Sequence, residues 1–200
     1  MVQLLKSHIE ETLTLNRRLD LLSRHRLTLI DDAAQFDGAT SHTVRDHFQS
    51  WVSRELNSVL KDLEQRKLPL HTAEGESSID VEMGLGTRYN FCLFVDDICL
   101  ESLDRMGLPV IKVLCRFSGV RGLDERDYVV HLEYEDGETE EAEEDVGWMY
   151  THVLDYCDRY VRLVEATDWY EEYCRPPWLM WCDEDKFPGF WRKKGLEGKK

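Results

Sequence analysis

Between Asp145 and Pro177 the chain reads DVGWMYTHVLDYCDRYVRLVEATDWYEEYCRPP, and its large apolar residues return at steps of three and four. Met149, Val153, Cys157, Val161 and Val164 make the series, with Tyr156, Tyr160 and Leu163 beside them. That spacing predicts one long amphipathic helix over 146–166, broad enough on its apolar side for other elements to pack on. Asp145 stands where a cap belongs. Asp168 with Glu171 gives a second cap signature, so the helix bends or restarts there, and Pro176–Pro177 halts it.

Upstream, Leu15, Leu19, Leu22 and Leu29 follow a three–four spacing, which predicts a first helix over 2–30. Two heptads are too few for a coiled coil. Asp31–Ser41, with Gly38, reads as a connection. Val44, Phe48, Trp51, Val52, Leu56, Val59, Leu60 and Leu63 then form the stripe of a second helix that starts near Ser41–Thr43 and runs to Lys67. Thr43 with Asp46 is its capping signal, and Pro69 stops it. Two such helices joined by a short connection predict an antiparallel hairpin. Each buries one face only, so the pair needs a third surface, which is either the later domain or a second copy.

Residues 69–87 are polar and carry Gly75, Gly84 and Gly86, the composition of a linker. Tyr89–Val95 and Pro109–Phe117 are continuous apolar runs of strand length. Between them Asp96 or Asp97 is placed to cap a short helix, Ile98–Met106. Tyr128–Tyr134 alternates as a third strand. The expected fold is α+β: a helical hairpin over 2–68, a linker over 69–87, a small α+β domain over 88–182 with about three strands packed on the long helix, and a basic tail over 183–200.

The net charge is −15. Residues 1–68 hold ten basic and ten acidic residues, so the remaining fifteen basic and thirty acidic residues put the whole excess in the later part. Such a chain repels phosphate backbones and anionic lipid, which argues against general nucleic-acid and membrane-surface binding. The six Cys form no CxxC pair and sit mostly in apolar runs, the usage of reduced, buried thiols. There is no signal-peptide pattern at the start and no apolar run of membrane-spanning length. Together these predict a cytoplasmic or nuclear protein.

Few residues converge as chemistry. Nine of the thirteen residues Glu133–Asp145 are acidic, but the run fails the EF-hand register, because starting at Glu135 puts Gly137 third instead of sixth. The seven His show no zinc spacing. His152 and Cys157, five apart on one helix, face apart and cannot pair within it. Asp96–Asp97, at the carboxyl end of a strand, is the weak candidate for a divalent metal or a catalytic carboxylate. No nucleophile-elbow, phosphate-loop or dinucleotide signature is present, and no cofactor is called for.

Two likenesses bear on function. Tyr128–Asp145 is loosely similar to Tudor-type barrels, in which a strand ends at an Asp-Gly turn; that resemblance implies an aromatic cage for methylated basic peptides. The departures are the acidic run in place of a strand and the helix after it. Separately, the strands FCLFVDD and PVIKVLCRF, with GWM and DWYEEYCRPP at the two ends of the Asp145–Pro177 stretch, resemble a pattern in uncharacterised proteins of filamentous fungi. That resemblance covers about 88–178 and implies no activity. On the residues themselves, Trp148, Trp169 and Tyr173 read as large buried anchors, Arg175 as a carboxylate clamp, and Trp178 and Trp181 as docking aromatics of the tail; Trp169, Tyr173, Arg175, Trp178 and Trp181 are the candidate contact residues. The expected function is a non-catalytic intracellular protein–protein interaction module. Its partner is another protein, or a second copy through residues 2–68. The rivals are a divalent-metal enzyme using Asp96 or Asp97 and a reader of methylated peptides.

Overall fold

The computed structural model describes residues 1–65 (side chains through 58), 85–126, 144–180 and 187–193. It is α+β, built on a three-stranded antiparallel sheet in the order β1-β2-β3. The strands are β1 (Phe91–Phe94), β2 (Val110–Cys115) and β3 (Trp148–His152). The helices are α1 (Val2–Leu15), α2 (Ala33–Phe36), α3 (Ser41–Gln65), α4 (Thr87–Asn90), α5 (Asp97–Arg105), α6 (Tyr156–Arg162), α7 (Trp169–Glu172) and α8 (Phe190–Lys193).

Every residue of β2 is buried, because helices cover both faces of the sheet. Side chains alternate across a strand. On one face, Val110, Leu114, Trp148 and Tyr150 pack with Phe48 and Val52 of α3 and with Ile98 and Cys99 of α5. On the other, Ile111 packs with Leu5 and Ile9 of α1 and with Val153 and Tyr156, while Phe91, Val113 and Met149 pack with Leu163 and Trp169. A fully buried Leu or Val contributes roughly 1.5–3 kcal/mol by leaving water. The two N-terminal helices therefore do not form a hairpin of their own; each is seated on a different face of the sheet, which is the third surface they required.

The expected helix over 146–166 is instead β3, a 3₁₀ turn at Val153–Asp155 and the short α6. The run Trp148–His152 is buried on both sides, and a strand of that kind has no alternation to set it apart from a helical stripe. Its entry is set by Asp145, whose Oδ1 accepts the Gly147 N–H at 2.7 Å, a local turn that competes with helix capping. Gly147 then has φ +72. The strand expected at Tyr128–Tyr134 and most of the 69–87 linker lie outside the described residues.

The first helix also stops early. Arg17 takes φ 57. The Arg17 N–H bonds the Thr14 carbonyl at 3.0 Å and the Arg18 N–H the Leu13 carbonyl at 2.7 Å. This is a Schellman ending with arginine where glycine is usual. The second helix is close to expectation, although Thr40, not Thr43, accepts the capping bond, from the Thr43 N–H at 3.3 Å.

Gly147 is where the sheet edge closes on the loop after β2. Its Cα lies close to Ser118 and Arg45, and an added methyl would collide with the Ser118 carbonyl and the Arg45 guanidinium. Gly38, also at positive φ, has open space around it. Gly147→Ala is expected to cost about 3 kcal/mol or more, the sum of backbone strain and a clash that backbone cannot relieve. Gly38→Ala should cost only about 1 kcal/mol. Urea denaturation of the two variants beside the parent checks the order; equal losses would refute the close approach.

Candidate functional site

Lys112 sits in the middle of β2, and its side chain is 3% exposed. Its Nζ is 2.6 Å from Oδ2 of Asp96, which is 27% exposed. The ammonium lies 3.9 Å from the Trp148 ring centre, 5.2 Å from that of Phe94 and 5.3 Å from that of Tyr150. Phe94 and Tyr150 are the residues paired with Lys112 across the sheet, so all three rings stand on the same face. Ring faces attract cations within about 6 Å. Asp96 Oδ1 meanwhile accepts the Cys99 N–H at 2.9 Å and caps α5. Burial works to raise the Asp96 carboxyl, yet the Lys112 charge and the bonds from Lys112 and Cys99 prevail and hold it below its ordinary value.

A second polar centre closes the opposite end of the sheet. Arg45, buried on α3, donates from Nε to the Cys115 carbonyl at 3.2 Å, from Nη1 to the Gly119 carbonyl at 3.0 Å and from Nη2 to the Val146 carbonyl at 3.2 Å. One guanidinium thus ties α3 to the ends of β2 and β3. Guanidinium suits this work because its donors have a fixed fork geometry.

These centres place the residues expected from sequence. Asp96 carries a cation of its own chain and a helix cap, while Asp97 is exposed in the first turn of α5. No group of three His, Cys, Asp or Glu that could hold a metal ion occurs among the described residues. Trp169 is a core residue, stacked on Phe91 at 6.0 Å, with its indole N–H donated to Asp145 Oδ2 at 2.9 Å. The Tyr173 hydroxyl accepts the Val146 N–H at 3.2 Å, and burial pushes that phenol up to about 12. Arg175 donates to the Glu144 backbone carbonyl, so it clamps a peptide oxygen. Trp178 is 42% exposed and meets Phe187 edge-on. Trp181 lies outside the described residues. The structure therefore joins Trp169, Tyr173 and Arg175 around residues 144–146 as a brace for the entry to β3.

The described thiols are poor nucleophiles. Burial raises Cys92 to about 12, and it raises Cys99, Cys115, Cys157 and Cys174 as well; a thiol needs its thiolate to attack. His152 Nδ1 is 3.2 Å from the Leu108 carbonyl. The surface depression along α3 is open and polar, with Gln35, Asp46 and His47 in its lining. Asp46 is held there by Arg126 at 2.6 and 3.0 Å, a pair that keeps its carboxyl below the ordinary value. His25 packs its ring on Tyr156 and Tyr160, and its Nε2 is 3.0 Å from the Tyr156 hydroxyl. Burial first, and Arg88 second, lower the His25 pKa.

Sequence reading passed over Lys112 and Arg45. The signal for Lys112 was present: a charge in the middle of PVIKVLCRF, flanked by apolar residues on both sides, demands a buried counter-charge. Arg45 left none, since a single basic residue on a polar helix turn is ordinary.

No protein-family model matches the chain, and no curated protein or solved structure matches it. Among the described residues no helix is long and apolar enough to cross a membrane.

The Lys112–Asp96 pair predicts an ordered set of stabilities. Asp96→Asn keeps a competent cap but strands the ammonium, and should cost about 3–5 kcal/mol. The double variant Asp96→Asn with Lys112→Met should recover much of that loss. Because the folded Asp96 pKa is lowered, its contribution is complete above the ordinary carboxylate range, near about pH 4, and fades as pH falls through the folded value. Lys112→Met should flatten that acid limb of the stability curve. Denaturant melts from pH 7 down to pH 3 measure both effects; a Lys112→Met curve parallel to the parent would count against the pair.

Proposed function

We propose that this chain is a non-catalytic protein-binding module. The observation that carries the reading is a division of labour between inside and outside. Inside, Asp96, Lys112 and Arg45 are engaged in holding the sheet and its helices, and burial keeps the described thiols protonated. Outside, α5 carries Leu100 and Leu103 at 50% and 39% exposure, and the turn after α1 carries Leu19 and Leu22 at 49% and 36%. Single exposed leucines are ordinary, but paired leucines one turn apart on a short element make a contact ridge.

The aromatic box of Phe94, Trp148 and Tyr150 is of the kind that reads methylated lysine, but it encloses the chain's own Lys112. A peptide side chain would have to displace a buried ion pair to enter. That weighs against the reader alternative at this box. The metal-enzyme alternative requires Asp96 to leave Lys112 and the α5 cap.

Site-specific photo-crosslinking tests the proposal. Benzoylphenylalanine is placed at Leu22, at Leu100 and, as a control, at Tyr170, in cells of the source organism. Discrete protein adducts at Leu22 or Leu100, absent at Tyr170, are expected. Equal absence at all three positions would sink the proposal. So would a calorimetric Mg²⁺ or Mn²⁺ site that Asp96→Asn abolishes.

A further inference from the structure

We infer that the occupant of the α5 ridge is the turn after α1 in a second copy of this chain, docked head to tail. This rests on the protein-binding reading and names the partner.

Two surface elements of the fold are built as counterparts. The first is the 3₁₀ turn Leu19–Leu21 and its flanks. In a 3₁₀ turn residues three apart eclipse, so Leu19 and Leu22 lie on one edge, about 6 Å apart along the axis. Arg17 and Arg24 bracket that leucine pair in sequence. Both are exposed and have no ion-pair partner among the described residues, whereas Arg18 is taken by Asp20 at 3.2 Å. The second is α5. Leu100 and Leu103, three apart on an α-helix, lie about 5–6 Å apart on its outer side. Asp97 and Asp104 bracket them, again exposed and without an ion-pair partner among the described residues. Arg105 is the one exposed base at that end of the helix.

The two elements thus match in leucine spacing and are opposite in the charges around the leucines. The same acidic helix already takes basic and aromatic groups: Glu101 accepts the Trp191 indole N–H and pairs with Arg192 at 3.0 and 3.1 Å. The elements cannot meet within one chain. The turn belongs to the sheet face covered by α1, where Leu27 joins the core of Leu5, Ile9 and Tyr156. Helix α5 covers the opposite face through Ile98 and Cys99. A contact between unlike patches is heterologous, and it propagates from copy to copy unless the rotation closes a ring.

Light scattering after size exclusion tests this on the full chain. At low salt, the weight-average mass is expected to climb from 23.6 kDa toward twice that or more, over about 1 to 100 μM. Raising salt should reverse the climb, since the bracket charges are exposed. Arg17→Asp with Arg24→Glu should stay monomeric, because an acidic turn then faces an acidic helix; Asp tolerates the left-handed backbone at 17. Asp97→Lys with Asp104→Lys should stay monomeric for the converse reason. Mixing the two variants should restore assembly, since the native helix of one meets the native turn of the other and the acidic turn of the first meets the basic helix of the second. Circular dichroism of each variant confirms that it is folded. A parent that stays monomeric throughout overturns the inference, as does an assembly indifferent to both charge reversals or a mixture that fails to pair. If crosslinks at Leu22 or Leu100 lead to a different protein while the parent is monomeric, the binding module stands and the self-docking falls.

Discussion

The structure turns on a charge placed where charges are least tolerated. Lys112 occupies the centre of a strand whose two faces are both sealed by helices. An ammonium there is expensive unless it is paired and its remaining surface is compensated. The compensation comes from every element around it: Asp96 from the head of α5, Phe94 from β1, and Trp148 and Tyr150 from β3. Removing any one element exposes the ion or strips it of a partner. The apolar packing on either face would accept several arrangements of similar burial; the ion accepts one.

That selectivity extends to register. Side chains alternate, so a one-residue slip of a strand sends each of them to the other face. A slip of β2 would carry Lys112 to the face of Ile9, Met149 and Trp169, away from Asp96 and from the rings of Phe94, Trp148 and Tyr150. The cap links register to helix position as well, because Asp96 binds Lys112 with one oxygen and the Cys99 N–H with the other. Arg45 plays the corresponding part at the far end. It gathers carbonyls from Cys115, Gly119 and Val146, and only glycine at 119 and 147 lets those backbones approach so closely. The sheet is therefore clamped at two points by basic side chains, with apolar contact filling the distance between them.

The elements legible in the sequence are those whose local signals agree with their tertiary surroundings. Strand β2 was visible as PVIKVLCRF and α5 through its Asp cap, and α3 showed a stripe whose described part, Val44 to Leu56, packs in the core on the sheet. Strand β3 was hidden because burial on both faces erases the two-residue period, leaving apolar residues that also fit a three–four spacing. The end of α1 was hidden for a different reason: the left-handed cap residue is Arg17, and arginine announces no stop. The α+β class was thus readable, while β3 was read as part of a helix. The candidate contact residues divide along the same line. Trp169 is large and aromatic, which marks it equally for a core and for an interface, and only the packing against Phe91 decides between them.

What remains on the outside is easier to interpret once the inside is accounted for. An acidic chain of this size gains solubility from its surplus charge, but the surplus also discourages two copies from meeting. Contact between copies then needs a local reversal, a basic patch offered to an acidic one. The even charge balance of residues 1–68 against the acidic excess of the later part supplies that reversal along the chain. The fold turns it into geometry, because the turn bearing Arg17 and Arg24 and the helix bearing Asp97 and Asp104 end up on opposite sides of the sheet. Two patches that face away from each other within one molecule are free to face each other between molecules.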